Sequence, residues 1–115
     1  MELQELQTDV KEVFVEEIIK QYIVDLANST RNHRDIYLGV SPRASISLMK
    51  ASQAFAFISG RDFVIPDDVQ YLAPYVFSHR IILHSEAKYK GASPEDMIET
   101  IVKRAHVPIK RAVKW

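Results

Sequence analysis

Three prolines fix where helices can begin in this chain. Pro42, Pro66 and Pro94 each stand at the head of a stretch whose apolar residues recur three or four positions apart. Proline has no amide hydrogen to donate and its φ is already helical, so it fits the first turn of a helix and disrupts later ones. Ser41-Pro42 is the most explicit of these starts, because a serine N-cap can accept a bond from a free amide. From there Ala44, Leu48, Ala51, Phe55 and Ile58 form the expected buried stripe, supported by Met49, and Gly60 stands where a left-handed cap would end the helix. The interleaved Ser45, Ser47, Ser52, Ala54 and Ala56 are small enough to let a second helix approach closely, so this is expected to be the central helix.

Pro66 is followed by Asp67 and Asp68, acids that suit the positive end of a helix, and then by Val69, Leu72 and Ala73 on the inward side. Pro74 falls inside that pattern and predicts a kink, or a fresh short helix to about Ser78. Ser93, Pro94, Glu95 and Asp96 resemble a capping box, and Met97, Ile98, Ile101, Val102 and Ala105 continue a helix that ends before Pro108. Nearer the start, Leu3, Leu6 and Val10 have helical spacing and lead into a possible edge strand at Val13 to Val15. Ile18, Ile19, Tyr22, Ile23 and Leu26 then predict a helix over about 16 to 31, and the polar cluster and Gly39 within 32 to 40 predict a loop. Asp62 to Ile65 could be briefly extended, and Arg80 to Leu83 reads as a buried extended turn. Nothing repeats at a fixed period and no linker divides the chain. The expected fold is therefore all-α, a small helical bundle with at most very short extended segments, over residues 1 to 107, followed by a basic tail from 108 to 115.

Function classes narrow on charge and composition. Fifteen basic and fifteen acidic residues balance, so no general positive field draws nucleic acid or an anionic membrane, and any anion site must be local. Cysteine is absent, which removes disulfides, thiolate metal sites and a thiol nucleophile and fits a reducing cytoplasm. The longest apolar runs are too short to span a bilayer, so membrane insertion is not expected. His33, His79, His84 and His106 are too scattered for a zinc site, and no metal ligand set is expected. Asp67 and Asp68 are adjacent and point in different directions on a helix, which suits dipole partners better than a catalytic pair.

Arg43 breaks the pattern. A cation at the second helical position opposes the partial positive charge of the helix N-terminus. Were a phosphate bound there, Arg43 and the first-turn amides would converge on one anion. On the residues alone a solvated Arg43, or one paired with Asp35, is the better explanation, because exposed terminal effects are only about 0.3–1 kcal/mol.

The run Gly39-Val40-Ser41-Pro42-Arg43-Ala44-Ser45 resembles the Gly-x-Ser-Pro-Arg-Ala motif of the MoxR family of AAA+ ATPases. The flanking segments are similar in order and spacing: Val13-Phe14-Val15, Tyr22-Ile23 and Thr30-Arg31 before it, then Gly60-Arg61-Asp62-Phe63-Val64, Pro66-Asp67-Asp68-Val69, Leu72-Ala73-Pro74 and His79-Arg80-Ile81. The resemblance covers roughly residues 3 to 107. It implies the C-terminal helical lid of such an ATPase, with Arg43 as the sensor 2 residue that touches ATP phosphate and Ser41, Pro42 and Ala44 as the supporting helix start. It further implies ATP and Mg2+ as cofactors of the whole protein, a preceding AAA+ core, a ring of subunits expected to be a hexamer, an unidentified client protein and a chaperone-like role in the cytoplasm.

Two departures from the family pattern stand out. Ile65 replaces the usual Thr or Ser before Pro66 and cannot cap through its side chain. The chain also contains no phosphate loop of the Gly-x-x-x-x-Gly-Lys-Ser/Thr type and no strand ending in paired acids, so it is not expected to hydrolyse ATP or bind a cofactor tightly by itself. Two rival readings remain, a free-standing helical interaction module and a helix-turn-helix DNA reader, and the balanced charge argues against the second. The resemblance leaves the role of Arg80 open.

Overall fold

In the computed structural model the structure describes residues 10–108. Its elements are α1 (Glu17–Arg31), β1 (Ile36–Leu38), α2 (Pro42–Ile58), α3 (Pro66–Phe77), a 3-10 turn (Ser78–Arg80), β2 (Ile82–Leu83), α4 (Ser85–Tyr89) and α5 (Pro94–Arg104). Helix α3 packs between α2 and α5, and α1 closes the circuit by touching the same two helices. The expected bundle is therefore present, with all three proline starts at the first helical position. The opening Leu3 and Leu6 pattern and the tail from 109 to 115 lie outside the described residues.

Small residues set how closely the helices approach. On α2 the buried positions are Ala44, Leu48, Ser52 and Ala56, each four residues after the last, together with Gln53. The expected stripe through Ala51, Phe55 and Ile58 is corrected by this: Ile58 is 81% exposed, and Phe55 sits at the margin stacked on Tyr71 of α3, centroids 5.3 Å apart. Around Leu48 this buried row is built of small residues, Ala44, Ser52 and Ala56, and α2 packs against both α3 and α1. The buried hydroxyl of Ser52 donates to the Leu48 carbonyl at 2.8 Å, so this polar residue meets no unpaired cost. In α1, Ile19, Tyr22, Ile23 and Leu26 face inward as expected, whereas Ile18 lies half-exposed on the outer side.

Local signals account for most of the helix ends. At the end of α2, Gly60 has φ +86°, the Arg61 amide donates to the Ala56 carbonyl at 2.9 Å and the Gly60 amide to Phe57 at 3.0 Å. These are the two bonds of a Schellman motif, and the left-handed residue is the glycine. Ser93 Oγ accepts from the Asp96 amide at 3.1 Å, which completes the expected cap of α5. Helix α3, by contrast, runs unbroken through Pro74. No fresh helix starts at Pro74: Ala73 and Phe77 on either side are wholly buried and hold the last turn, and the helix ends three residues later, at Phe77, where the 3-10 turn begins.

Short extended pieces tie the segments between helices together. The Phe14 amide donates to the Asp62 carbonyl at 2.8 Å and the Val64 amide to the Phe14 carbonyl at 2.9 Å, so the two expected extended stretches pair in parallel. Gln53 Nε2 reaches across to the Val13 carbonyl at 2.8 Å and anchors the same segment. Part of the expected loop 32 to 40 is instead β1, which pairs antiparallel with β2 (Ile36 opposite Leu83, Leu38 opposite Ile82). The expected buried extended turn from Arg80 to Leu83 is present in part: Ile81 and Leu83 are buried and Ile82–Leu83 are extended, whereas Arg80 closes the 3-10 turn with its side chain exposed. Helix α4, followed by Gly91 at φ +93°, had no clear periodic signal over its five residues.

Candidate functional site

The start of α2 is held by the end of α1. Thr30 is fully buried, and its hydroxyl donates to the Ala27 carbonyl at 2.6 Å while accepting from the Val40 amide at 3.0 Å. One residue on, Arg31 Nε donates to the Val40 carbonyl at 2.9 Å, and its Nη1 is fixed by Asn28 Oδ1 at 2.7 Å. Both backbone polar groups of Val40 are thus engaged by side chains of α1, and the Val40 side chain is itself buried.

Gly39 shows why this clamp can form. A Cβ there would lie 2.7 Å from the Arg31 backbone nitrogen and 2.8 Å from its Cα, closer than side-chain atoms approach backbone. The requirement is for space, not for an unusual φ. The chain after β1 therefore lies directly on the backbone of α1 and delivers Ser41, Pro42, Arg43 and Ala44 in a fixed place.

Of these, Ala44 is buried and locks the first turn into the core, whereas Ser41, Pro42 and Arg43 face outward. The Ser41 hydroxyl makes no capping bond, contrary to the sequence expectation, and the Ala44 amide turns back to the Ser41 carbonyl at 3.0 Å. The leading end of α2 is left uncapped by any side chain. Arg43 makes no ion pair among the described residues, so a bridge to Asp35 is not formed; the Asp35 backbone instead contacts His33 Nδ1 and the His84 amide. Arg43 lines a concave surface of about 610 Å³ together with Arg31, Ser41, Ser47 and Arg80. Sequence reasoning found Arg43 and its helix start but missed the Thr30 and Arg31 clamp. Its only sequence signal was the Thr30-Arg31 pair in the family resemblance.

The acids of α3 belong elsewhere. Asp68 is 1% exposed, accepts two bonds from Arg61 at 2.8 and 2.7 Å and a third from the Ile65 amide at 2.9 Å. Its carboxylate holds the amide of the N-cap residue Ile65, the half of a capping box that does not depend on the Ile65 side chain, and it raises the pKa of the Arg61 guanidinium through the hydrogen bonds it accepts. Among the described residues no group of three or more His, Asp or Glu could hold a metal. No helix among them is long and apolar enough to cross a membrane.

Residues 28–101 match the AAA lid domain family. The chain is 49% identical over 107 residues to YeaC, an uncharacterised protein of Bacillus subtilis, which covers 93% of this chain and 33% of that protein. It is 31% identical to the chaperone MoxR1 of Mycobacterium tuberculosis, over 97% of this chain and 32% of the relative. A crystal structure of a protein provisionally named as an ATPase, from Cytophaga hutchinsonii, superposes with a TM-score of 0.83 at 32% identity, over 89% of this chain and 34% of that one. The chain spans about a third of the length of the curated relatives first matched. With this match over most of its described helices, and with MoxR proteins among its relatives, the chain belongs to the AAA lid domain family as the lid of a MoxR-family AAA+ protein.

Proposed function

We propose that this lid closes over ATP held by an adjoining AAA+ core and presents Arg43 to the phosphates as the sensor 2 residue. The observation that carries the reading is the placement of Arg43. It is an exposed arginine with no ion pair among the described residues, at the second position of a side-chain-uncapped helix whose approach is clamped by Thr30, Arg31 and Gly39. A guanidinium there contributes a charged, forked donor, and rigid support keeps its placement from depending on loop motion. During phosphoryl transfer negative charge spreads over the γ-phosphate oxygens, and such a donor stabilises it most when closure has excluded water.

The phosphate loop and the Mg2+ ligands belong to the core in this reading, and the lid converts the presence of the γ-phosphate into a position. A ring of subunits, hexameric by family expectation, would transmit that motion to a client protein in a chaperone-like task in the cytoplasm. The naming of one relative as a chaperone supports this direction. A protein-interaction role of the lid is a second reading, favoured by the half-exposed Phe14, Ile18 and Phe63 along one groove.

Arg43→Ala in the intact ATPase tests the first reading. Steady-state hydrolysis should fall at least roughly tenfold, a loss of about 1.4 kcal/mol of transition-state stabilisation. Stability of the lid should change by less than about 1 kcal/mol, because no core volume is lost. Arg43→Lys should restore part of the rate, since a point charge replaces a planar fork. Unchanged nucleotide affinity and unchanged turnover in Arg43→Ala would remove the sensor role.

A further inference from the structure

The concavity beside Arg43 has a charge imbalance that one sensor residue does not explain. Arg31, Arg43 and Arg80 all line it, and no carboxylate does, although acids and bases balance over the whole chain. The three arrive from separate elements: the end of α1, the start of α2 and the end of the 3-10 turn. Arg31 is committed in part to Val40 and Asn28 and acts as a fixed charge. Arg80 is exposed and, like Arg43, forms no ion pair among the described residues. Its backbone is nevertheless firmly placed, because Ser78 before it and Ile81 after it are both buried.

Three guanidinium groups around one surface repel one another unless something negative lies between them. Solvation alone does not require them to share one surface, but here the fold brings them to the same concavity. A single phosphate is satisfied by one forked guanidinium, whereas a chain of phosphates presents several charged oxygens over a longer span. We propose that the concavity is a polyphosphate site in which Arg80 is a second anion-contacting residue alongside Arg43, with Arg31 contributing field. The ligand class is a linear polyphosphate, carried in the intact protein by a nucleoside triphosphate. The source of that polyphosphate rests on the lid reading above, but the affinity of the surface for polyphosphate does not.

Inorganic tripolyphosphate titrated into the 115-residue chain at low ionic strength, followed by amide and arginine side-chain NMR shifts, tests this directly. Saturable shifts should centre on Ser41 to Ala44 and on Arg80, and inorganic monophosphate should bind more weakly. Arg80→Ala should weaken tripolyphosphate about fivefold, roughly 1 kcal/mol, and Arg80→Lys should recover part of it. Lys50→Ala, which removes an exposed charge away from the concavity, should leave the affinity unchanged. The proposal is overturned if Arg80→Ala binds tripolyphosphate as the unaltered chain does, or loses no more than Lys50→Ala. The two readings fail separately. A silent Arg43→Ala in the intact ATPase with a weakened Arg80→Ala titration removes only the sensor role, and the reverse pair of results removes only the polyphosphate site.

Discussion

Arg61→Ala should destabilise the folded chain by about 4 kcal/mol in denaturant unfolding, and Asp68→Ala by about 3 kcal/mol, although both delete the same ion pair. The asymmetry follows from where each charge is left. Asp68 is 1% exposed, and without Arg61 its carboxylate would keep only the Ile65 amide at 2.9 Å, a charge buried with a single donor. Arg61 is 24% exposed, so without Asp68 its guanidinium can turn toward water, while its Nη1 contact to the Phe63 carbonyl at 3.1 Å is weak enough to yield. Asp68→Ala nevertheless also uncaps α3, whose N-cap Ile65 offers no polar side chain. Asp68→Asn should recover part of the loss by retaining an acceptor for Ile65. The double substitution should cost clearly less than the two single costs added together, because it leaves neither charge behind. Additive costs, or an Arg61→Ala variant as stable as the unaltered chain, would show that the pair does not hold α3 to the end of α2.

How far the sequence revealed the fold depended on the range over which each signal acts. Helix starts at Pro42, Pro66 and Pro94 were legible because proline, its preceding residue and the first-turn acids all act within one turn. The same holds for Gly60, whose left-handed φ is demanded by the bonds that end α2. The pairing of Ile36–Leu38 with Ile82–Leu83 was not legible. Two strands of three and two residues, more than forty positions apart and with an irregular register, carry too few residues for an alternation to show. The stripe on α2 was misplaced after Leu48, since the buried row continues through Ser52 and Ala56, and hydrophobic spacing gives a serine no weight. Packing to another helix, not hydrophobicity along the helix, decided that face.

The candidate site divides in the same way. Arg43 stood out because a cation in a first turn conflicts with the helix dipole, a conflict readable from two adjacent positions. The clamp that places it was hidden, because half of its partners are backbone groups of Val40, which any residue would supply. Arg80 was visible as a residue but not as a neighbour of Arg43, since only the folded turn brings it to the same concavity.

Gly39→Ala should test that clamp, with an expected loss of about 2 kcal/mol in denaturant unfolding. The added Cβ would meet the Arg31 nitrogen at 2.7 Å and the Arg31 Cα and Cγ at 2.8 Å. The side-chain carbon can move aside, but the other two atoms belong to the last turn of α1 and are held by its helix, so the segment from Gly39 must retreat instead. Retreat stretches the bonds from the Val40 amide to Thr30 Oγ1 at 3.0 Å and from Arg31 Nε to the Val40 carbonyl at 2.9 Å. Lengthening both would leave the buried Thr30 hydroxyl without its incoming donor, which adds a polar cost to the steric one. Amide exchange at Val40 should quicken accordingly. If Arg43 contacts the phosphates of an adjoining ATPase core as proposed, the same substitution should depress turnover of the intact protein although Arg43 is still present, because a donor displaced by even an ångström loses much of its effect on a transition state. A Gly39→Ala lid that unfolds within about 0.5 kcal/mol of the unaltered one, with Val40 equally protected, would mean that the segment accommodates a methyl group freely. The place of Arg43 would then owe nothing to the close contact between Gly39 and Arg31.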